Sequence, residues 1–194
     1  MYSILFRIVL PILLCSGLFA SEKHATSYAY FSPKDHIADH LIALIAKEKT
    51  SVKAAVYALT HRGVAQALVQ AKNRGVQVEV IVDPFSLKRR SAISILTKAR
   101  IPVFIWHPAN EKSKETKNPL MHDKFCVFGK NLIWTGSFNF TYDADLKNEE
   151  NVIVLEDAEL AARFEEQFNM IKNKSTIPCE EFLKTRSKKQ GNEE

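Results

Sequence analysis

Cysteine is scarce in this chain, with three among 194 residues. Cys15 falls inside the apolar N-terminal segment, where residues 12–14 before it make a poor lipoprotein signal. Cys126 and Cys179 remain. An oxidising compartment would permit a single bridge between them, but Cys126 lies in an apolar run and reads better as a small buried hydrophobe. No His/Cys cluster occurs at ligand spacing, and Lys124 next to the most polar constellation would repel a cation, so no metal centre is expected. Tandem repeats and low-complexity blocks are also missing. Acid is in the minority: Lys+Arg number 27 against Asp+Glu 22, a net charge of +5, a balance that favours polyanionic partners such as nucleic acid or anionic lipid.

No apolar run comfortably reaches the roughly 20 residues of a membrane span. The nearest, residues 8–20, follows Arg7, is broken by Pro11, Ser16 and Gly17, and gives way to Ser21, Glu22 and Lys23. Residues 1–20 therefore read as a signal peptide, and export to a bacterial periplasm or cell envelope is expected. Leu18 and Ala20 form an imperfect cleavage site, which keeps an uncleaved membrane anchor as the alternative.

A chain of this length holds one domain, expected over residues 28–174, with a polar, frayed tail over 175–194. The pattern is α/β. Residues 35–49 carry a helical stripe at Ile37, Leu41, Leu44 and Ile45, with Asp35 placed to cap it. Residues 52–59 read as a strand, 64–74 as a helix closed by Gly75, and 76–82 as a strand halted by Asp83-Pro84. A second helix (91–100) and strand (103–106) follow. Residues 107–119 are a polar loop carrying Lys112, Lys114 and Lys117, of a length that tends to be functional. Residues 121–128 read as a strand, 129–131 as a hairpin turn, 132–135 as its partner and 151–155 as a last strand. Asp157 opens a helix striped by Leu160, Phe164, Phe168 and Ile171.

The chemistry concentrates around that hairpin. His122 and Lys124, two apart on a strand, are expected to leave the same face. Gly136-Ser137-Phe138-Asn139 follows, with Gly136 expected to let the backbone approach a ligand and Ser137 and Asn139 supplying short polar groups. Glu150 stands where it can orient an imidazole. A nucleophile, a cation and neutral donors are what a phosphate requires. Lys88, Arg89 and Arg90, with Lys112, Lys114 and Lys117, are candidates for a phosphate groove, although charge runs are usually solvated faces. Trp106, Phe138 and Phe140 could stack on bases, the two phenylalanines fitting a core better. His36, His40 and His61 read as helix or turn surface residues.

The run H-x-K-x4-G-x6-G-S-x-N resembles the signature of the phospholipase D superfamily, in the form of its short, single-motif bacterial endonucleases. The similarity extends over roughly residues 28–172, including Tyr30-Phe31-Ser32-Pro33, residues 65–75, 135–141 and 148–152. The sequence departs at Gly129, where the family usually has an acidic residue that closes the strand, so a loss of local order is expected there. The resemblance implies a central mixed sheet flanked by helices in a single domain that dimerises. It also implies metal-independent hydrolysis of DNA or RNA, single strands preferred, through a covalent phosphohistidine on His122. Lys124 and Asn139 would hold the phosphate oxygens, Ser137 would support them, and Glu150 would fix the ring. No other histidine has a lysine two residues on, so one chain supplies half the machinery and a homodimer shares one site. One imidazole would then attack while the other donates, with a bell-shaped pH dependence. Two rival readings stand beside this one: a membrane phospholipid phosphodiesterase, motivated by the N-terminal segment, and an inactive nucleic-acid-binding module, motivated by Gly129.

Overall fold

The computed structural model describes residues 26–87, 91–107 and 119–190. Residues 1–25, among them the expected signal segment, the basic triplet 88–90 and the lysines at 112, 114 and 117 lie outside the described residues. The elements follow in the order β1 (Ser27–Ser32), α1 (Ile37–Lys47), β2 (Ser51–Val56), α2 (Arg62–Asn73), β3 (Gln77–Val82), α3 (Ile93–Lys98) and β4 (Val103–Trp106). β5 (Lys124–Phe128), β6 (Leu132–Gly136), α4 (Tyr142–Leu146), β7 (Glu150–Glu156), α5 (Ala158–Ser175), β8 (Thr176–Pro178) and α6 (Cys179–Gln190) come next among the described residues.

The described strands form one mixed sheet in the order β1-β7-β6-β5-β2-β3-β4-β8. β2, β3 and β4 run parallel, joined through helices, while β5, β6 and β7 form an antiparallel meander beside β2. This is the expected mixed sheet. Both faces of its centre are covered, which explains why β2, β3 and β5 read as nearly continuous apolar runs. Val52, Ala54 and Val56 point into the core shared with Leu41, Ile45, Val64 and Leu68 of α1 and α2. Ala55, Ile81, Phe125, Val127 and Ile133 point the other way, against Ala161, Phe168 and Ile171 of α5. Lys172 reaches Glu79 at 2.6 Å and Lys53 pairs with Glu165, fastening α5 across the sheet.

Three local expectations are corrected. Asp35 does not cap α1: its carboxylate turns back to accept from Phe31 N at 2.9 Å, and His36 takes the capping position in a left-handed conformation. The amide of Ala38 is instead satisfied at 2.8 Å by the buried Asp145, 107 residues away, one of the orphan donors that every helix start must place. His61 is not a surface residue but is buried and caps α2, its Nδ1 accepting from Val64 N at 3.2 Å. The tail expected to fray from residue 175 forms β8 and α6 instead. β8 pairs antiparallel with β4 and closes that edge of the sheet, while Cys179 and Phe182 pack into the main core. Cys126 and Cys179 are both free and buried, and burial drives the Cys126 thiol far above its ordinary range.

Candidate active site

The loops that follow β2, β3 and β6 meet the segments that enter β5 and β7 at one end of the sheet. This is the end where the parallel strands finish, the usual place for a site in an α/β layer. The β2–β5 ladder continues one step past the strands, Tyr57 N donating to Asp123 O at 3.0 Å. Asp83, 3% exposed, accepts from Met121 N at 3.1 Å and from Phe85 N at 2.8 Å. One carboxylate thus ties the turn after β3 to the residue before His122. Ser86 adds a second tie, donating to Tyr57 O at 2.9 Å and accepting from Leu59 N at 3.1 Å.

His122 lies just ahead of β5 rather than within it, so the expected face-sharing with Lys124 through strand alternation does not apply. The two residues are joined by other means. Lys124 Nζ donates to the His122 carbonyl at 2.5 Å and sits 5.5 Å from the centre of the Tyr57 ring. The exposed His122 imidazole packs on the same ring at 4.9 Å, and Phe85 stacks on it at 4.9 Å. Lys124 is only 9% exposed. Burial pulls its ammonium below the ordinary value, while the charges of Asp123 and Glu150 push the other way. Burial and the nearby Asp83 together raise the Tyr57 phenol.

Asn139 is fixed by its carbonyl oxygen, which accepts from Ala58 N at 3.2 Å. The residue lines the wall of an open cleft of about 770 Å³. Ser137 is bonded within the protein to Glu150 and Asn151. Its hydroxyl donates to Glu150 Oε2 at 2.5 Å and accepts from Asn151 N at 3.0 Å. Asn148 donates to the other Glu150 oxygen at 3.1 Å, and its own carbonyl is held by Ser32 Oγ at 3.0 Å. Glu150 is therefore held on both oxygens and acts on Lys124 through space; among the described residues it makes no hydrogen bond to His122. Gly136 is also reassigned. A Cβ there would stand 2.1 Å from Asn151 O, so the backbone that approaches it is β7 and not a ligand.

His122 and Lys124 thus meet at the Tyr57 ring, Asn139 is bonded to the next residue, Ala58, Glu150 acts on Lys124 through space, and Ser137 stands behind Glu150. Among the described residues no group of His, Cys, Asp and Glu has the makings of a metal site. Phe138 and Phe140 are fully buried core residues. Sequence reasoning missed Tyr57 and Asp83. Asp83-Pro84 was visible as a turn, and a buried turn aspartate was the available signal, but its partner at Met121 is remote in sequence.

A mixed sheet with a histidine, a buried lysine and an asparagine near the ends of its strands defines a phospholipase D-like domain. The chain belongs to the family described as cardiolipin synthase, PLD-like domain, whose model matches residues 41–172. It is 33% identical over 135 residues to a phospholipase D of Rickettsia prowazekii, covering 69% of this chain and 62% of that one. It is 30% identical over 132 residues to the mitochondrial cardiolipin hydrolase of Mus musculus, covering 68% and 56%. The chain spans less than two thirds of the length of these relatives. Among solved structures it resembles the phospholipase D family member Nuc from Salmonella typhimurium, with a TM-score of 0.68 and 28% identity over 78% of this chain and 96% of that one. NucT from Helicobacter pylori shares the fold, with a TM-score of 0.70 and 23% identity over 78% and 98%. The resemblance to the superfamily and its Nuc-like branch is borne out.

Proposed function

We propose that this chain is a metal-independent phosphodiesterase that cleaves DNA or RNA through a phosphohistidine at His122, two copies combining into one active site. The observation that carries the reading is the gathering of His122 and Lys124 on the Tyr57 ring, with Asn139 held on the adjoining Ala58. An exposed imidazole there meets a buried cation, with a neutral amide on the adjoining segment, and the two donors suit the non-bridging oxygens of a phosphodiester.

In the first step an imidazole nitrogen of His122 attacks phosphorus, the P–N bond forms, and the P–O bond to the leaving group breaks. His122 of the partner subunit gives the leaving oxygen its proton. In the second step that imidazole takes a proton from water, the oxygen attacks phosphorus, and the P–N bond breaks. Lys124 and Asn139 spread the charge that builds on the phosphoryl oxygens. Glu150, braced by Ser137 and Asn148, orients the His122 ring once a bound phosphate draws it inward, since catalytic hydrogen bonds often tighten only in the complex. A single chain has one such histidine, and general acid catalysis is worth about 10² to 10⁴-fold, so a lone copy forfeits much of the rate. The basic balance of the chain and the similarity to Nuc support nucleic acid as substrate, single strands first, and the apolar leader supports an exported, envelope-located enzyme. Among the described residues no helix is long and apolar enough to cross a membrane.

A second reading, turnover of anionic phospholipid, is favoured by the names of the Rickettsia and mouse relatives. Purified protein and its His122→Ala variant, assayed on single-stranded DNA, RNA and an anionic diacyl phospholipid, separate the two. Strand scission lost in the variant is expected. Lipid turnover without scission would replace the first reading by the second, and a wild type that binds nucleic acid without cleaving it would mark a binding module.

A further inference from the structure

A cleft reaches the Tyr57 ring, on which His122 packs, and extends well past the residues that the chemistry uses. Tyr57 and Asn139 form its inner wall, and it continues outward past Thr60 and Arg62 at the start of α2 and Thr141 and Tyr142 at the start of α4. At about 770 Å³ it is large enough to take a whole nucleotide beyond the scissile phosphate.

Its lining is selective. Among the described residues that line it there is no Leu, Ile, Val or Met; the aromatic rings of Tyr57, Phe85 and Tyr142 stand among polar side chains, the carboxylate of Asp143 included. A site for an acyl chain needs flexible aliphatic walls, whereas a planar base needs an aromatic face with polar groups at its edge. Tyr142 has that form. Its ring is 45% exposed, and behind it the buried His61 imidazole stacks at 4.1 Å with an interplanar angle of 29°. His61 is itself held, through Nδ1 to Val64 N at 3.2 Å and through its backbone amide to Phe140 O at 2.8 Å. Burial keeps this imidazole toward its neutral form against the pull of Asp145 and Asp39. The backbone under Tyr142 is fixed as well, because Thr141 caps α4 by accepting from Ala144 N at 3.1 Å, and Asp145 is tied to α1. A platform already rigid before binding gives up little entropy to a ligand.

We propose that this cleft is a nucleobase-stacking subsite adjoining the scissile phosphate, with Tyr142 as the platform and the exposed Arg62 meeting the next phosphate of the strand. The assignment rests on the phosphodiesterase reading and narrows its substrate to single-stranded nucleic acid, because a base paired and stacked within a duplex does not present its face.

The test is binding by the full chain, carrying His122→Ala throughout so that nothing is cleaved. Short single-stranded DNA is compared with an abasic strand of equal length by fluorescence anisotropy. Tyr142→Ala and Tyr142→Leu are expected to bind the base-bearing strand roughly 5- to 150-fold more weakly, with the abasic strand little affected. Tyr142→Phe should restore base-dependent binding. Arg62→Gln should weaken both strands alike and reduce the salt slope by about one. Equal losses on both strands for the Tyr142 variants, or no loss on either, would overturn the subsite. So would a loss in Tyr142→Leu confined to anionic phospholipid vesicles. Wild-type hydrolysis of a small chromogenic phosphodiester is measured alongside. Turnover there without base-dependent binding sinks the subsite alone, and no turnover on any diester sinks the phosphodiesterase reading.

Discussion

A lysine at 9% exposure is unfavourable unless its ammonium is held, and Lys124 is held chiefly by one carbonyl and one ring face. In the proposed mechanism this charge serves the phosphate rather than the fold, and an apolar replacement of similar size is often neutral or stabilising. Lys124→Met should therefore lower turnover by about 10² to 10³-fold while leaving the melting temperature equal or higher. A marked fall in melting temperature would make Lys124 a structural residue. The sign of the pH effect follows from the lowered ammonium. The folded state releases this proton below the ordinary value of 10.5, so activity that needs the cation should decline on the alkaline side before a free lysine would titrate. Gly129 makes a second case. It adopts φ +56, with a Cβ position 3.1 Å from Thr50 Oγ1 and 3.6 Å from Glu48 Oε1. Glu48 already accepts from Thr50 N, Thr50 Oγ1 and Ser51 N. Burial would raise its carboxyl, but these hydrogen bonds outweigh it and hold the group below its ordinary value. A carboxylate thus closes this end of the strand from the side, and local order survives the missing acid. Gly129→Asp, which restores the family pattern, should cost about 1–2 kcal/mol through the left-handed backbone and the facing carboxylates, with no gain in turnover. Urea denaturation beside a turnover assay checks both.

At the scale of elements, α2 begins on a buried histidine, and this makes its start sensitive to acid. The folded state keeps His61 below its ordinary value of 6.5, so the unfolded chain binds the extra proton as pH falls through that value. Its stabilising contribution is intact above about pH 6.5 and is lost progressively below it. His61→Asn keeps a capping acceptor and removes the titration, so melting temperatures of wild type and variant should diverge less toward low pH than at neutrality. Parallel curves would contradict the assignment. At the other end of the chain, deleting residues 176–194 removes β8 and α6, uncovers the edge of β4 and opens the core around Cys179 and Phe182. A lower melting temperature and concentration-dependent aggregation are expected, because an exposed sheet edge templates pairing. An unchanged melting temperature would show that the tail adds nothing to the fold. Periodicity was sufficient for elements whose partners are nearby, and β4 and the stripe of α5 are placed as the sequence indicates. It was blind where the determining contact is distant. Asp145 capping α1 leaves no local trace, and α6, rich in charge, contributes chiefly Cys179 and Phe182 to the core.

On the scale of the whole molecule, the site was legible as far as residue types at fixed spacing can carry it. His122 and Lys124 lie at the Tyr57 ring and Asn139 is bonded to Ala58 beside it, and their roles in the proposed chemistry rest on the motif. The support around them was hidden, since Tyr57, Asp83 and the Ser137–Glu150–Asn148 chain of hydrogen bonds join segments that only the folded sheet brings together. The sheet supplies the ends of β2, β3, β5, β6 and β7 to one rim, and a second copy supplies the other imidazole in the proposed mechanism. The proposed mechanism stands on covalent chemistry at His122 without metal. Quenching a reaction on a substrate labelled at the scissile phosphate, in excess EDTA, and mapping the label tests it most directly. An acid-labile phosphoryl or nucleotidyl group on the peptide containing His122, absent in His122→Ala, is the predicted result. Turnover that requires a divalent ion, or that proceeds at full rate in the variant, would contradict it.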